Sequence, residues 1–174
     1  MSRQKQALLT KDQRHLKTAQ GWIDLGDWLK AIKEVAKISA RSQSNPDVLQ
    51  TKWIINCMAG DWERAFAVAE RVSKVLPDDP FGMCAMAYAL HHMKRTEEAL
   101  ALEFAVTDKF PDHYLVLYNL AYHACQRGKL QEATTWIKRA FKSHKRLKLP
   151  SEMLRKMALE DPGMQPLWSY IRSM

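Results

Sequence analysis

The chain has 174 residues, 47% of them hydrophobic, and a formal net charge of +8 at pH 7. That composition excludes a disordered polyelectrolyte and supports a packed core. The apolar run near the N-terminus, Ala7–Leu9, is too short for a signal-peptide core and no window approaches a membrane span, so a cytoplasmic protein without membrane contact is expected.

Six Gly and seven Pro stand singly as punctuation among recurrent Ala, Leu, Lys and Glu, which points to an all-α chain. Three cysteines, Cys57, Cys84 and Cys125, are odd in number and far apart, as suits reduced thiols. Charge is uneven: +5 over residues 1–45, −4 over 46–113 and +7 over 114–174. A continuous nucleic-acid track would carry positive charge along its whole length, and this chain does not.

In chain order, Thr10 with Gln13 reads as a capping box for a first helix. Gly26 closes that helix, Asp27 caps the next, and Ala31 sits early in it. Asn45-Pro46 starts another helix, with the proline where its missing N–H costs nothing. The same marks then return: Gly60, Asp61 and Ala65; Asp79-Pro80, Lys94 and Ala99; Asp112, Gly128 and Ala133. Ala31, Ala65, Ala99 and Ala133 fall at one constant interval, and the same interval separates the turn residues Gly26, Gly60, Lys94 and Gly128 and the pair Pro77 and Pro111. Ala19, Ala87 and Ala121 form another column, broken by Trp53. The clearest copy is Leu117–Ala140, two amphipathic segments joined at Gly128.

A helix–turn–helix unit of about 34 residues with Leu-Ala in its first helix, Gly at the turn, Ala early in its second helix and a terminal Pro resembles the tetratricopeptide repeat (TPR) family. The resemblance implies a right-handed α-solenoid of antiparallel helix pairs. Residues 1–11 form a lead-in and 12–147 hold four units, 12–45, 46–79, 80–113 and 114–147. Two departures stand out: Thr18 and Lys52 replace the core leucine of helix A, and Trp53 replaces a small residue. Residues 148–174 leave the period. Pro150-Ser151-Glu152 starts a helix, Asp161-Pro162-Gly163 ends it, and Pro166-Leu167-Trp168 opens a last short segment that would cover the final repeat.

The resemblance further implies that the first helices of the units line the concave side. Residues projecting there include Ile54, Tyr88 and Tyr122 in one column, Cys84 and Tyr118 in a second, and His91 and Cys125 in a third; Phe81 and Leu115 begin their units on the same side. These are the candidate contacts for a peptide or helix of a partner protein. The competing reading has some of these rings packing between helices or under the C-terminal segment. The Lys and Asn pattern with which some TPR domains clamp a terminal carboxylate is absent.

Cys57, His91 and Cys125 share a column, but packed helices lie ~8–10 Å apart while zinc ligands approach to about 2.0–2.3 Å, so no metal site is expected. No Gly-rich phosphate loop, HExxH, CxxC or GxSxG is present, and no cofactor or catalytic role is expected. Lys138, Arg139, Lys142, Lys145, Arg146 and Lys148, with His144 among them, read as a solvated face at a helix C-terminus. The chain is therefore expected to be a non-enzymatic, chaperone-like or adaptor module for protein binding. Nucleic-acid association through the basic 138–148 face and self-assembly into a homo-oligomeric scaffold are the alternatives.

Overall fold

A computed structural model describes residues 8–174, which contain ten α-helices, two 3-10 helices and no strand among the described residues. The helices are α1 (Thr10–Asp24), α2 (Trp28–Ala36), α3 (Pro46–Met58), α4 (Trp62–Val75), α5 (Phe81–His92), α6 (Thr96–Lys109), α7 (Tyr114–Gln126), α8 (Leu130–Arg146), α9 (Ser151–Glu160) and α10 (Trp168–Ser173). The 3-10 helices are Ala40–Ser42 and Pro162–Leu167.

One backbone device recurs at the turns. Gly26, Gly60, Lys94 and Gly128 have φ of 76°, 69°, 59° and 71°. At each, the N–H of that residue bonds back to the carbonyl three residues earlier, and the next N–H bonds to the carbonyl five residues earlier: Gly26 to Ile23 and Asp27 to Trp22, through to Gly128 to Cys125 and Lys129 to Ala124. This is the Schellman closure, which satisfies the last carbonyls of a helix and needs a left-handed residue. Glycine takes that conformation freely; Lys94 takes it against the steric cost of its Cβ.

Beyond each turn the next helix needs a donor-satisfying cap. Asp27 accepts from the Lys30 N–H at 2.9 Å and Asp61 from the Arg64 N–H at 3.1 Å. Asn45 accepts from the Asp47 N–H at 2.9 Å, and Asp79 from the Phe81 N–H at 2.8 Å. Two expected caps differ. Thr10 lies within the first turn of α1 with no side-chain cap at Leu9, and Gln13 reaches back to the Leu8 carbonyl instead. His113, not Asp112, caps α7, its ring accepting from the Leu115 N–H at 3.2 Å. Asp112 instead uses its carbonyl to accept the Ser143 hydroxyl.

The small-residue columns are buried: Ala31, Ala65, Ala99 and Ala133 at 0–1% exposure, and Ala19, Ala87 and Ala121 likewise. Side chains of that size let helix backbones approach closely.

The chain divides into two compact units, with the boundary between Leu102 and Glu103 inside α6. In the first, Leu16, Ala19, Ala31, Val35, Ile38, Val48 and Ile55 form one cluster, with Trp22, Ile23 and Trp28 packed against it. Asp12 ties the 3-10 turn to α1, accepting from the Ser39 N–H at 3.0 Å and from the Ser39 and Ser42 hydroxyls at 2.5 and 2.6 Å. Those bonds, Ser39's first, hold its carboxyl down to about 2. The contribution is present above the ordinary carboxylate range and is lost only as pH falls through that low value. Farther on, α5 crosses α4 so closely that a Cβ on Gly82 would meet the Ser73 backbone at 2.4 Å.

In the second unit α7 and α8 pack as a hairpin, α9 and the Pro162–Leu167 turn fold against it, and α10 packs on those two. Leu117, Ala121, Ala124, Ile137 and Ala140 of the hairpin and Leu154, Ala158, Met164, Leu167 and Ile171 of the C-terminal segment are all buried.

Lys94 is the one left-handed residue among the four hairpin turns that is not glycine. Lys94→Gly should raise unfolding free energy by roughly 0.5–1 kcal/mol, and Gly128→Ala should lower it by a similar amount or more. Urea titrations check both signs.

Candidate functional site

The candidate contacts belong to α3, α5 and α7, and the structure divides them. On α7, Tyr118 and Tyr122 are 5% and 4% exposed. They are not open to a partner because the chain's own C-terminal segment lies over them. The Tyr118 hydroxyl donates to Asp161 Oδ2 at 2.9 Å, and Gln126 Nε2 donates to the Gly163 carbonyl at 2.8 Å. A Cβ on Gly163 would meet Cε2 of Tyr122 at 2.2 Å, so the glycine backbone lies against the ring and only glycine fits. Asp161 also accepts from the Gly163 N–H at 2.9 Å, which shapes the turn. Cys125 is buried at 6%, and Leu115 is half-buried. For Tyr118, Tyr122 and Cys125, an open contact surface is therefore corrected to a covered one.

On α5, Cys84 is also buried, at 3%, and its thiol presents nothing to solvent. Phe81, Tyr88 and His91 are half-buried, like Leu115, and Ile54 on α3 is 37% exposed beside Met58 at 36%. Trp53, the residue that breaks the small column, is what organises this face. Its ring meets Phe81 edge-on at 5.4 Å and Tyr88 at 5.9 Å. Trp62 at the start of α4 stacks flat on His92 at 4.0 Å and meets Tyr88 edge-on at 6.1 Å. Edge-on and offset rings add to plain area burial, so α3, α4 and α5 share an aromatic cluster that remains partly open. Trp62 and His92 belong to it although neither is among the candidate contacts; Trp62 holds the repeat position that Trp28 and Leu130 also occupy.

A titratable pair lies in the second unit. Glu103 on α6 is 7% exposed and His123 on α7 is 2% exposed, with Oε1 and Nε2 3.0 Å apart. Burial pushes the Glu103 carboxyl up to about 7, partly offset by Arg127.

The basic run is not one uniform face. Arg139 pairs with Asp112 at 3.3 Å and lies over Trp136, and Lys138 lies over Tyr170. His144 is buried at 2% with its ring edge-on to Tyr114, and burial holds its pKa below the ordinary value. Lys142, Lys145, Arg146 and Lys148 are exposed. Among the described residues no group of three or more His, Cys, Asp or Glu is placed to hold a metal ion, and no helix is long and apolar enough to cross a membrane.

No protein-family model and no curated protein matches the sequence. Solved structures match the fold. A structure of MamA (MSR-1, C2) aligns over 76% of both chains at 18% identity with a TM-score of 0.53. A crystal structure of MamA aligns over 79% of this chain and 80% of that one at 14% identity with a TM-score of 0.58. MamA is a TPR-like repeat protein, and the likeness shows a helical-repeat fold of the TPR type.

Tyr118→Phe should cost about 1.5–3 kcal/mol of stability, the range for a bond to a charged acceptor, and Asp161→Asn combined with it should add little more. A double-mutant cycle in urea measures the coupling. Because Glu103 is raised, its favourable contribution is complete below the ordinary carboxylate range and disappears as pH rises through about 7. Glu103→Gln should therefore gain stability relative to wild type between pH 5 and 8, read from melts at both pH values.

Proposed function

We propose that the chain is a non-enzymatic protein-interaction module that receives a peptide or helix of another protein on the face shared by α3 and α5. One observation carries the reading: the molecule already holds a segment of its own chain, the turn at Asp161–Gly163, against α7. The Tyr118 hydroxyl donates to the Asp161 carboxylate, the Tyr122 ring lies against the Gly163 backbone, and the Gln126 side-chain amide donates to the Gly163 carbonyl.

One repeat earlier in the chain, those three positions become Cys84, Tyr88 and His92 on α5, and one repeat before that Gln50, Ile54 and Met58 on α3. The α5 and α3 sets keep the large side chain of the central position, as Tyr88 and Ile54, and both are partly open. Phe81 and His91 extend the same surface. Tyrosine and histidine bring contact area together with polar atoms, which suits a peptide whose backbone needs hydrogen-bond partners.

The TPR-type fold supports the same class, since stacked helical hairpins present long continuous faces to partner segments. It supports no particular partner, because repeat architecture sets the scaffold while face residues vary.

Ile54→Glu and Tyr88→Ala, tested separately, should each weaken capture of the native partner at least about tenfold, equivalent to a lost contact of about 1.4 kcal/mol. Melting curves should remain cooperative. Affinity capture from the native cell with quantitative mass spectrometry checks it, and capture unchanged by both substitutions removes this face from consideration.

A further inference from the structure

Lys52 stands where the repeat pattern leads to leucine, and the interaction face of α3 does not use it. Residues of a helix advance by about 100° each, so Lys52 and Asn56 lie on one side of α3 and Ile54 nearly opposite. Their side borders a cleft of about 270 Å³ in the first unit, lined by Ile32, Val35 and Ala36 of α2, Gln43 of the intervening loop, and Lys52, Ile55 and Asn56 of α3. Its walls are mostly aliphatic, and Ile32 is 41% exposed at its edge.

The polar end of the cleft is one-sided in charge. The Lys52 ammonium donates to Gln43 Oε1, and Gln43 is itself committed through Nε2 to the Ile38 carbonyl at 2.6 Å. No carboxylate pairs with Lys52 among the described residues. The charge felt most strongly by Lys52 is a second cation, Arg71, which reaches Ser44 Oγ at 3.4 Å. Burial and Arg71 together hold the Lys52 pKa below its ordinary value, so its charged form lacks a counter-ion. A half-buried ammonium beside an apolar cleft, with a like charge close by, is complementary to an anion that carries a hydrocarbon group.

We propose that this cleft between α2 and α3 binds a carboxylate carried on a short aliphatic group, with Lys52 and Asn56 meeting the carboxylate and Ile32, Val35 and Ala36 the hydrocarbon. The volume holds one aliphatic residue or a chain of about six carbons and lies below the usual range for a drug-sized ligand. The site is independent of the Ile54 and Tyr88 face, so either stands if the other fails.

The test titrates the full chain, followed by ¹H–¹⁵N spectra, with four probes: hexanoate, hexanamide, the tripeptide acetyl-Ala-Ala-Leu with a free C-terminus, and its amide. Both acids should shift Ile32, Val35, Ala36, Gln43 and Asn56 with a Kd of about 1 mM or tighter, and both amides should bind at least tenfold more weakly. Lys52→Met should abolish the shifts, and Lys52→Arg should retain them, which separates loss of the site from loss of fold. Tighter binding of the tripeptide acid assigns the carboxylate to the end of a partner chain; equal or tighter binding of hexanoate assigns it to a free short-chain acid. No shifts with either acid up to about 10 mM, amides binding as well as acids, or retained binding in Lys52→Met overturns the site.

Discussion

The seat that α7 makes for Asp161–Gly163 is what covers Tyr118 and Tyr122. Three side chains hold it, yet the larger part of its stability comes from the apolar residues just beyond the turn. Met164, Leu167 and Ile171 are buried at 0–3% exposure, and each such side chain contributes ~1.5–3 kcal/mol when withdrawn from water. One hydrogen bond to a charged carboxylate contributes at most about 3 kcal/mol. The apolar anchors therefore outweigh the polar grip, and the segment is a fixed part of the second unit rather than a loosely held occupant. Tyr118 and Tyr122 serve the fold, and the aromatic cluster on α3, α4 and α5 stays partly open.

The left-handed turn is the second constraint. Every hairpin turn reuses the same pair of backbone bonds, so helix length and the offset to the next helix are reset once per repeat. Close packing then follows from the alanine columns, which can meet only if the turn delivers them in register. Lys94 shows that the backbone closure, not glycine itself, is the requirement.

Much of this was legible in the sequence because glycine, alanine and N-cap residues act locally. Gly26, Gly60 and Gly128 announce their φ, Asp27 and Asp61 announce the caps, and Ala31 and Ala133 announce close approach. The helical class and the break at Asp161-Pro162-Gly163 followed from such marks. What escaped was decided by contacts distant in the chain. Tyr122 and Tyr88 share a column and a residue type, and only the return of Gly163 onto Tyr122 makes one covered and the other partly open. Trp53 read as an intrusion in a small-residue column, whereas it anchors the rings of Phe81 and Tyr88. Lys52 read as a lost core leucine, and its meaning depends on Gln43 and Arg71, which no helical period connects to it. His113 replaced Asp112 as a cap, and α8 claims the Asp112 carbonyl through Ser143.

Closure of α7 by its own chain, with the α5 face left partly open, is the claim on which the choice of interaction surface depends. Nitration of tyrosines in the native protein, mapped by mass spectrometry against time, reads this directly. Tyr88 should be modified while Tyr118 and Tyr122 stay unmodified until the protein unfolds. Modification of Tyr122 as fast as Tyr88 would show that α7 is open and would contradict the claim.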